Sequence, residues 1–118
     1  FVGQLFKTIG KHMPPAPGTK SPALWGTRAR IAELFEPHAM SIKSVQRNFV
    51  FRYRSAEHWL DVFPSYYGPV LKTFAALGPE AQTALQSDLV ALLRQFNRSG
   101  DDTIVVPSEY LEIVMTRH

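Results

Sequence analysis

The stretch IKSVQRNFVFRYR, residues 42–54, decides how the rest of the chain is read. Val45, Phe49, Phe51 and Tyr53 share one parity, and Gln46, Asn48, Arg52 and Arg54 share the other. Successive side chains of a strand point to opposite faces, so this alternation predicts a half-buried strand with its aromatic residues inward. Arg47 interrupts the apolar parity and Val50 the polar one. A second alternation closes the chain, with Leu111, Ile113 and Met115 set against Tyr110, Glu112 and Thr116. Two strands are therefore expected, at about 43–54 and 108–117, with helical segments before and between them.

Working outward, Phe1, Val2, Leu5, Phe6 and Ile9 have the i, i+4 spacing of a helix that stops at Gly10. Pro14, Pro15, Pro17, Gly18 and Pro22 then exclude helix interior and central strand alike, because proline fixes φ and lacks an amide donor. The spacing predicts a long surface loop from Met13 to Pro22. A second helix starts near Ser21 or Pro22, or at Thr27 if Gly26 interrupts it. It carries Leu24, Ile31, Leu34 and Phe35 inward and ends at Pro37. After the first strand, Ser55 is a natural N-cap for a helix over 56–63, with Pro64 closing it. A short helix is expected over 69–77. Gly78-Pro79-Glu80 opens another, since proline suits the first helical position and a carboxylate complements the N-terminal dipole. Leu85, Leu89, Leu92, Leu93 and Phe96 make its buried stripe, which ends before Gly100.

Composition bounds the function. The 118 residues suit a single domain over 1–118, and 45% hydrophobic against 19% charged residues is the balance of a folded chain. The formal charge of +3 is spread along the chain, and only Arg47, Arg52 and Arg54 gather. No nucleic-acid partner is expected from so diffuse a charge. The absence of cysteine excludes a disulfide framework, a thiolate metal site and a cysteine nucleophile. No membrane partner is expected either, because no apolar run approaches the about 20 residues of a membrane helix. A cytoplasmic location fits these features.

Most catalytic signatures fail on spacing. The glycines form no G-x-G turn. His12, His38, His58 and His118 have no partner at i+3 or i+4, so no metal site is expected. His58 reads as a first-turn helix residue facing solvent, and Asp101 and Asp102 as a solvated turn after Gly100. Glu109 and Glu112 have opposite parity and cannot face one another. The aromatic residues are more telling. Trp59 and Phe63, at i and i+4, read as core. Tyr66 and Tyr67 lie between Pro64 and Gly68, outside a regular element, where a phenol can face a cleft and offer an apolar face with a hydroxyl.

Taken together, FVGQLFKTIGKHMPPAPGTKSPALWGTRARIAELF, the strand SVQRNFVFRYR, the SAEHWLDVF helix and the final SEYLEIVMTRH resemble the C-terminal part of class I S-adenosylmethionine-dependent methyltransferases. The likeness is to the small-molecule branch, in which a helix and a proline-rich loop lead through a W-G-T helix start, here Trp25-Gly26-Thr27, to the last two strands. The resemblance implies an α/β, Rossmann-like fold whose seventh strand is inserted antiparallel between the fifth and sixth. It implies that the glycine-rich turn and the ribose-holding carboxylate lie before Phe1, so that this chain is a fragment lacking the cofactor-binding half. S-adenosylmethionine is then the cofactor of the full-length parent, with none expected on this chain alone. The acceptor wall would draw on His12, Met13, Trp25, Tyr66 and Tyr67, with no residue assigned to catalysis. An open edge at Tyr110–Thr116 leads to an expected homodimer, formed by pairing of the last strands or exchange of the first helix. Two other classes stay open: a stand-alone α+β ligand-binding or dimerisation module, and a basic interaction domain using Arg47, Arg52 and Arg54 on one strand face.

Overall fold

The structure, a computed structural model, describes residues 1–117, so His118 lies outside the described residues. Five helices and two long strands make a mixed α/β architecture in the order α1 (Val2–His12), α2 (Arg28–Phe35), β1 (Ala39–Tyr53), α3 (Ala56–Tyr66), α4 (Gly68–Ala76), α5 (Pro79–Phe96) and β2 (Ile104–Arg117). Short 3₁₀ turns, Pro22–Gly26 and Glu36–His38, flank α2. The strands pair antiparallel from Tyr53↔Ile104 to Ala39↔Arg117, with one bulge between Ala39 and Ser41. They form a two-stranded ribbon whose outer edges are both unpaired among the described residues. At about 3.3 Å per residue, 15 residues of β1 span about 50 Å, the long dimension of the molecule at 51 Å.

Local chemistry sets the boundaries. The Ser55 hydroxyl accepts from the His58 amide at 3.1 Å and starts α3. The Thr27 hydroxyl accepts from the Arg30 amide at 3.3 Å and starts α2, so Gly26 does interrupt the expected second helix. Within the proline-rich loop, the Thr19 amide donates to the Ala16 carbonyl at 3.1 Å across Pro17 and Gly18. Gly18 has φ of +80°, the left-handed value a type II turn requires at its third residue.

Opposed residues of the ribbon share a face. On one face, the end nearest the helices is sealed: Ile104 and Val106 are buried, and Phe51 and Tyr53 pack against the core cluster that holds Trp59, Phe63, Leu89 and Leu93. The α1 N-terminus is tied there as well, the Val2 amide donating to the Ser108 hydroxyl at 3.4 Å. At the far end, cover comes to the opposite face. Arg28 of α2 donates to the Ser44 hydroxyl, and Ile42, Ser44, Leu111 and Ile113 are half-buried.

Several expectations are corrected. Val45 and Phe49 share the parity of Phe51 and Tyr53 but stand about half exposed, because no helix reaches that stretch. Leu24 is exposed rather than inward. Pro64 does not close α3, which runs on to Tyr66. The Ser65 hydroxyl donates to the Asp61 carbonyl at 2.8 Å and the Tyr67 amide to the Phe63 carbonyl at 2.8 Å, which carries the helix past the proline. Pro107, outside the expected strand, lies within β2.

Candidate functional site

The five sequence-predicted wall residues fall in three places, His12 with Met13, Trp25, and Tyr66 with Tyr67, and no hydrogen bond or ring contact joins any two of them among the described residues. Trp25 is exposed at the first 3₁₀ turn, its ring 6.1 Å from that of Phe35. Met13 is exposed at the start of the loop. His12 ends α1 with its side chain largely covered, its Nε2 2.8 Å from the Asp88 carboxylate of α5. Tyr66 is the last residue of α3 and 85% exposed. Tyr67 joins α3 to α4 and is half-buried between Phe6 and Phe63, at ring separations of 6.4 and 4.7 Å. Burial pushes its phenol above the ordinary value, because the phenolate would lose hydration. Tyr66 is therefore part of α3, contrary to the sequence-based expectation, whereas Tyr67 does lie outside a regular element but is packed into the core, so only Tyr66 is free.

A hollow that the sequence reading missed lies at the carboxyl end of β1. It has a volume of about 360 Å³ and is lined by Arg52, Tyr53, Arg54, His58, Thr103, Ile104 and Val105. Three local features shape it. Ser55 caps α3 and places His58 in the first turn, where its Nδ1 accepts from the Arg54 amide at 3.2 Å. The neutral imidazole then carries its proton on Nε2. The His58 ring is edge-on to Tyr53 at 5.6 Å, so it bends back over the strand end instead of facing solvent. Opposite, Asn97 ties the α5–β2 turn: its Oδ1 accepts from the Val105 amide at 2.8 Å and its Nδ2 donates to the Thr103 carbonyl at 2.8 Å.

Charge and titration add detail. Burial raises the Tyr53 phenol above its ordinary value. The Asp101 carboxyl is held below its ordinary value by the Thr103 hydroxyl and amide, the amide donating at 2.8 Å. Gly100 beside it has φ of +76°, and the expected solvated turn forms. Arg52 and Arg54 have no carboxylate partner among the described residues. Arg47 is elsewhere, on the other face of β1, bound to Glu112 at 2.8 and 2.9 Å. The three arginines do not share an exposed strand face, and the basic interaction surface expected of them is not assembled. The hollow is shallow and its exposed lining is mainly apolar, with two arginines, a tyrosine and a histidine among the residues around it. No three His, Asp or Glu side chains among the described residues are grouped to hold a metal ion.

Below the hollow, the aromatic side chains are continuous. Phe49 meets Phe51 at 4.9 Å, Phe51 meets Phe63 at 5.7 Å, and Phe63 stacks on Trp59 at 4.7 Å. Trp59 is wholly buried, yet its indole N–H has no acceptor among the described residues.

Comparison with known proteins places the chain beside uncharacterized mycobacterial proteins. One from Mycobacterium bovis and two from strains of Mycobacterium tuberculosis are each 30% identical over 115 residues, 94% of this chain. The chain spans 40% of the length of these relatives. No protein-family model matches it, and no solved structure does. No helix among the described residues is long and apolar enough to cross a membrane.

Proposed function

We propose that this chain is the C-terminal, acceptor-side part of a class I S-adenosylmethionine-dependent methyltransferase of the small-molecule branch, working in the cytoplasm. The observation that carries the reading is the antiparallel ribbon with a lined hollow at the carboxyl end of β1. In open α/β sheets, ligands bind outside the carboxyl ends of strands. The element order also supports it: helix, proline-rich loop, Trp25-Gly26-Thr27 start, helix, strand, helical excursion and returning strand. The unpaired outer edge of β2 leaves a place for the fifth strand of a Rossmann-like sheet, and the mycobacterial relatives are long enough to supply one.

The seven glycines of this chain include no G-x-G turn of the kind that approaches a dinucleotide-like cofactor. In the proposal the seat of S-adenosylmethionine belongs to the remainder of the longer protein. What these residues do is position the acceptor: the Tyr53 and His58 rings bound its plane, while Arg52 and Arg54 hold a negative group. Alignment is worth much of the rate in a bimolecular displacement, so a wall that only orients still matters to turnover.

The test is paired. Isothermal titration of S-adenosylmethionine into the full-length parent should give binding, whereas the 118-residue chain should give none. A full-length parent that does not bind the cofactor ends the methyltransferase reading, and binding to the short chain would require a cofactor site among its own residues. A stand-alone α+β ligand-binding or dimerisation module is the second reading. It is favoured by the closed core in which α1, α3, α4, α5 and the ribbon base already bury Leu5, Trp59, Val70, Leu89, Leu93 and Val106.

A further inference from the structure

One face of the ribbon stops being covered where the helices end. Phe51 and Val106 lie under the helices, but further along the same face Phe49, Val45, Tyr110 and Val114 are 56%, 49%, 46% and 58% exposed. Arg47 and Glu112 bind each other within this stretch, so what stands open is mainly apolar. A two-stranded ribbon is at best marginally stable in water unless a further strand or a helix packs with it. The start of α1 sits at the border of the open stretch. The Phe1 ring meets Phe51 at 5.9 Å. The Val2 amide donates to the Ser108 hydroxyl at 3.4 Å, and Ser108 opposes Phe49, the first exposed aromatic residue.

We propose that in the longer protein the polypeptide joined to Phe1 lies along this face and covers it. The mycobacterial relatives have the length to supply such a segment, since the matched region is 40% of each. Its point of arrival is already fixed. A segment that ends at Phe1 ends beside the Phe49–Ser108 pair, where cover by the helices stops. From there the open stretch runs to Lys43 and Val114, about 20 Å at about 3.3 Å per residue of strand. Half a dozen extended residues reach that far, and a helix of about 13 residues does the same at 1.5 Å per residue. A tethered segment meets the face at an effective concentration on the order of millimolar, which a free partner or a second copy must exceed to displace it. The contact is made with the side chains of the face and leaves both outer strand edges free for pairing. Cover of this kind is called for whatever reaction the longer protein carries out.

Maleimide labelling reads the cover directly. In a full-length parent without other cysteines, Val114→Cys should react at least about tenfold more slowly than in the same protein unfolded in urea, at every protein concentration. In the 118-residue chain, shown to be folded by circular dichroism, it should react nearly as fast as when unfolded, because the position is open. Replacing Tyr110 by the photo-crosslinker p-benzoylphenylalanine identifies the occupant: in the parent the adduct should map to residues preceding Phe1. Val45→Glu should lower the melting temperature of the parent and leave that of the 118-residue chain unchanged. A parent in which position 114 reacts freely overturns the proposal, as does equal protection in the 118-residue chain. So does protection that grows with protein concentration, or an adduct on a second molecule, since a second copy would then hold the face. An adduct on residues that follow His118 overturns it too. None of these readouts involves S-adenosylmethionine, so their outcome is separate from that of the cofactor titration.

Discussion

The two ends of the ribbon carry the same kind of sequence and meet different fates. Phe51, Tyr53, Ile104 and Val106 lie on the same face as Val45, Phe49, Tyr110 and Val114, in unbroken register. The first group is sealed under α1, α3 and α5, and the second is open. The difference comes from connectivity. The helices between the strands leave and rejoin the ribbon at Tyr53 and Ile104, so their reach determines where cover ends. Pleat and register decide which face a residue takes. They do not decide whether anything lies on that face.

The largest test of this contrast replaces one aromatic residue in each half. Trp59→Ala should lower stability by about 3–5 kcal/mol, the cost of emptying a large buried site. Phe49→Ala should cost less than half as much, since over half of that ring is already in water. Denaturant unfolding followed by circular dichroism reads both. Equal losses would mean that the open end is as well packed as the sealed one. Trp59→Phe sharpens the result: it removes the unpaired indole N–H, whose burial costs about 1–3 kcal/mol, and so should be far milder than Trp59→Ala.

These halves also mark what could be read in advance. Both strands, the cap at Ser55, the helix start at Thr27 as one of the alternatives, and the Pro79 start were legible because each is set by neighbouring residues. Burial of Val45 and Phe49 was not, since alternation reports parity and parity holds for covered and open strand alike. Pro64 inside α3 escaped because the bonds that carry the helix past it come from Ser65 and Tyr67, residues that do not look exceptional. The pairing of His12 with Asp88 spans 76 residues and leaves no local mark. The hollow was hidden for the same reason: Arg52 and His58 are near in sequence, but Thr103 and Val105 arrive from the far strand.

Adjacent tyrosines give the next effect in size. Tyr67→Ala should cost roughly 1.5–3 kcal/mol, because its ring fills the space between Phe6 and Phe63. Tyr66→Ala should change stability by no more than about 0.5 kcal/mol, as is usual for an exposed side chain. Thermal melts of the two variants separate the roles. If Tyr66 belongs to an acceptor wall in the parent, its loss should reduce turnover with no change in melting. Loss of stability in Tyr66→Ala would remove it from the wall and make it structural.

The smallest effect lies at the turn that brings the chain from α5 back into the sealed half. Asp101 accepts from the Thr103 amide, and its carboxyl is held below the ordinary aspartate value first by the Thr103 hydroxyl and then by that amide. In the unfolded chain the same carboxyl titrates near the ordinary value of about 3.9. The folded state therefore favours the ionised form. Its contribution is fully present above that unfolded value and is lost as pH falls through the lower, folded one. Carboxyl NMR titration should find Asp101 below the range of free aspartate, and stability should decline slightly across the same interval of acid. Asp101→Asn keeps the oxygen acceptor without the ionisation, so the turn should persist while that part of the acid decline disappears. An Asp101 that titrates at or above the ordinary value would mean that the turn is not held by this carboxylate, and that the return of β2 to the covered end rests on Asn97, Ser99 and the Arg98 amide.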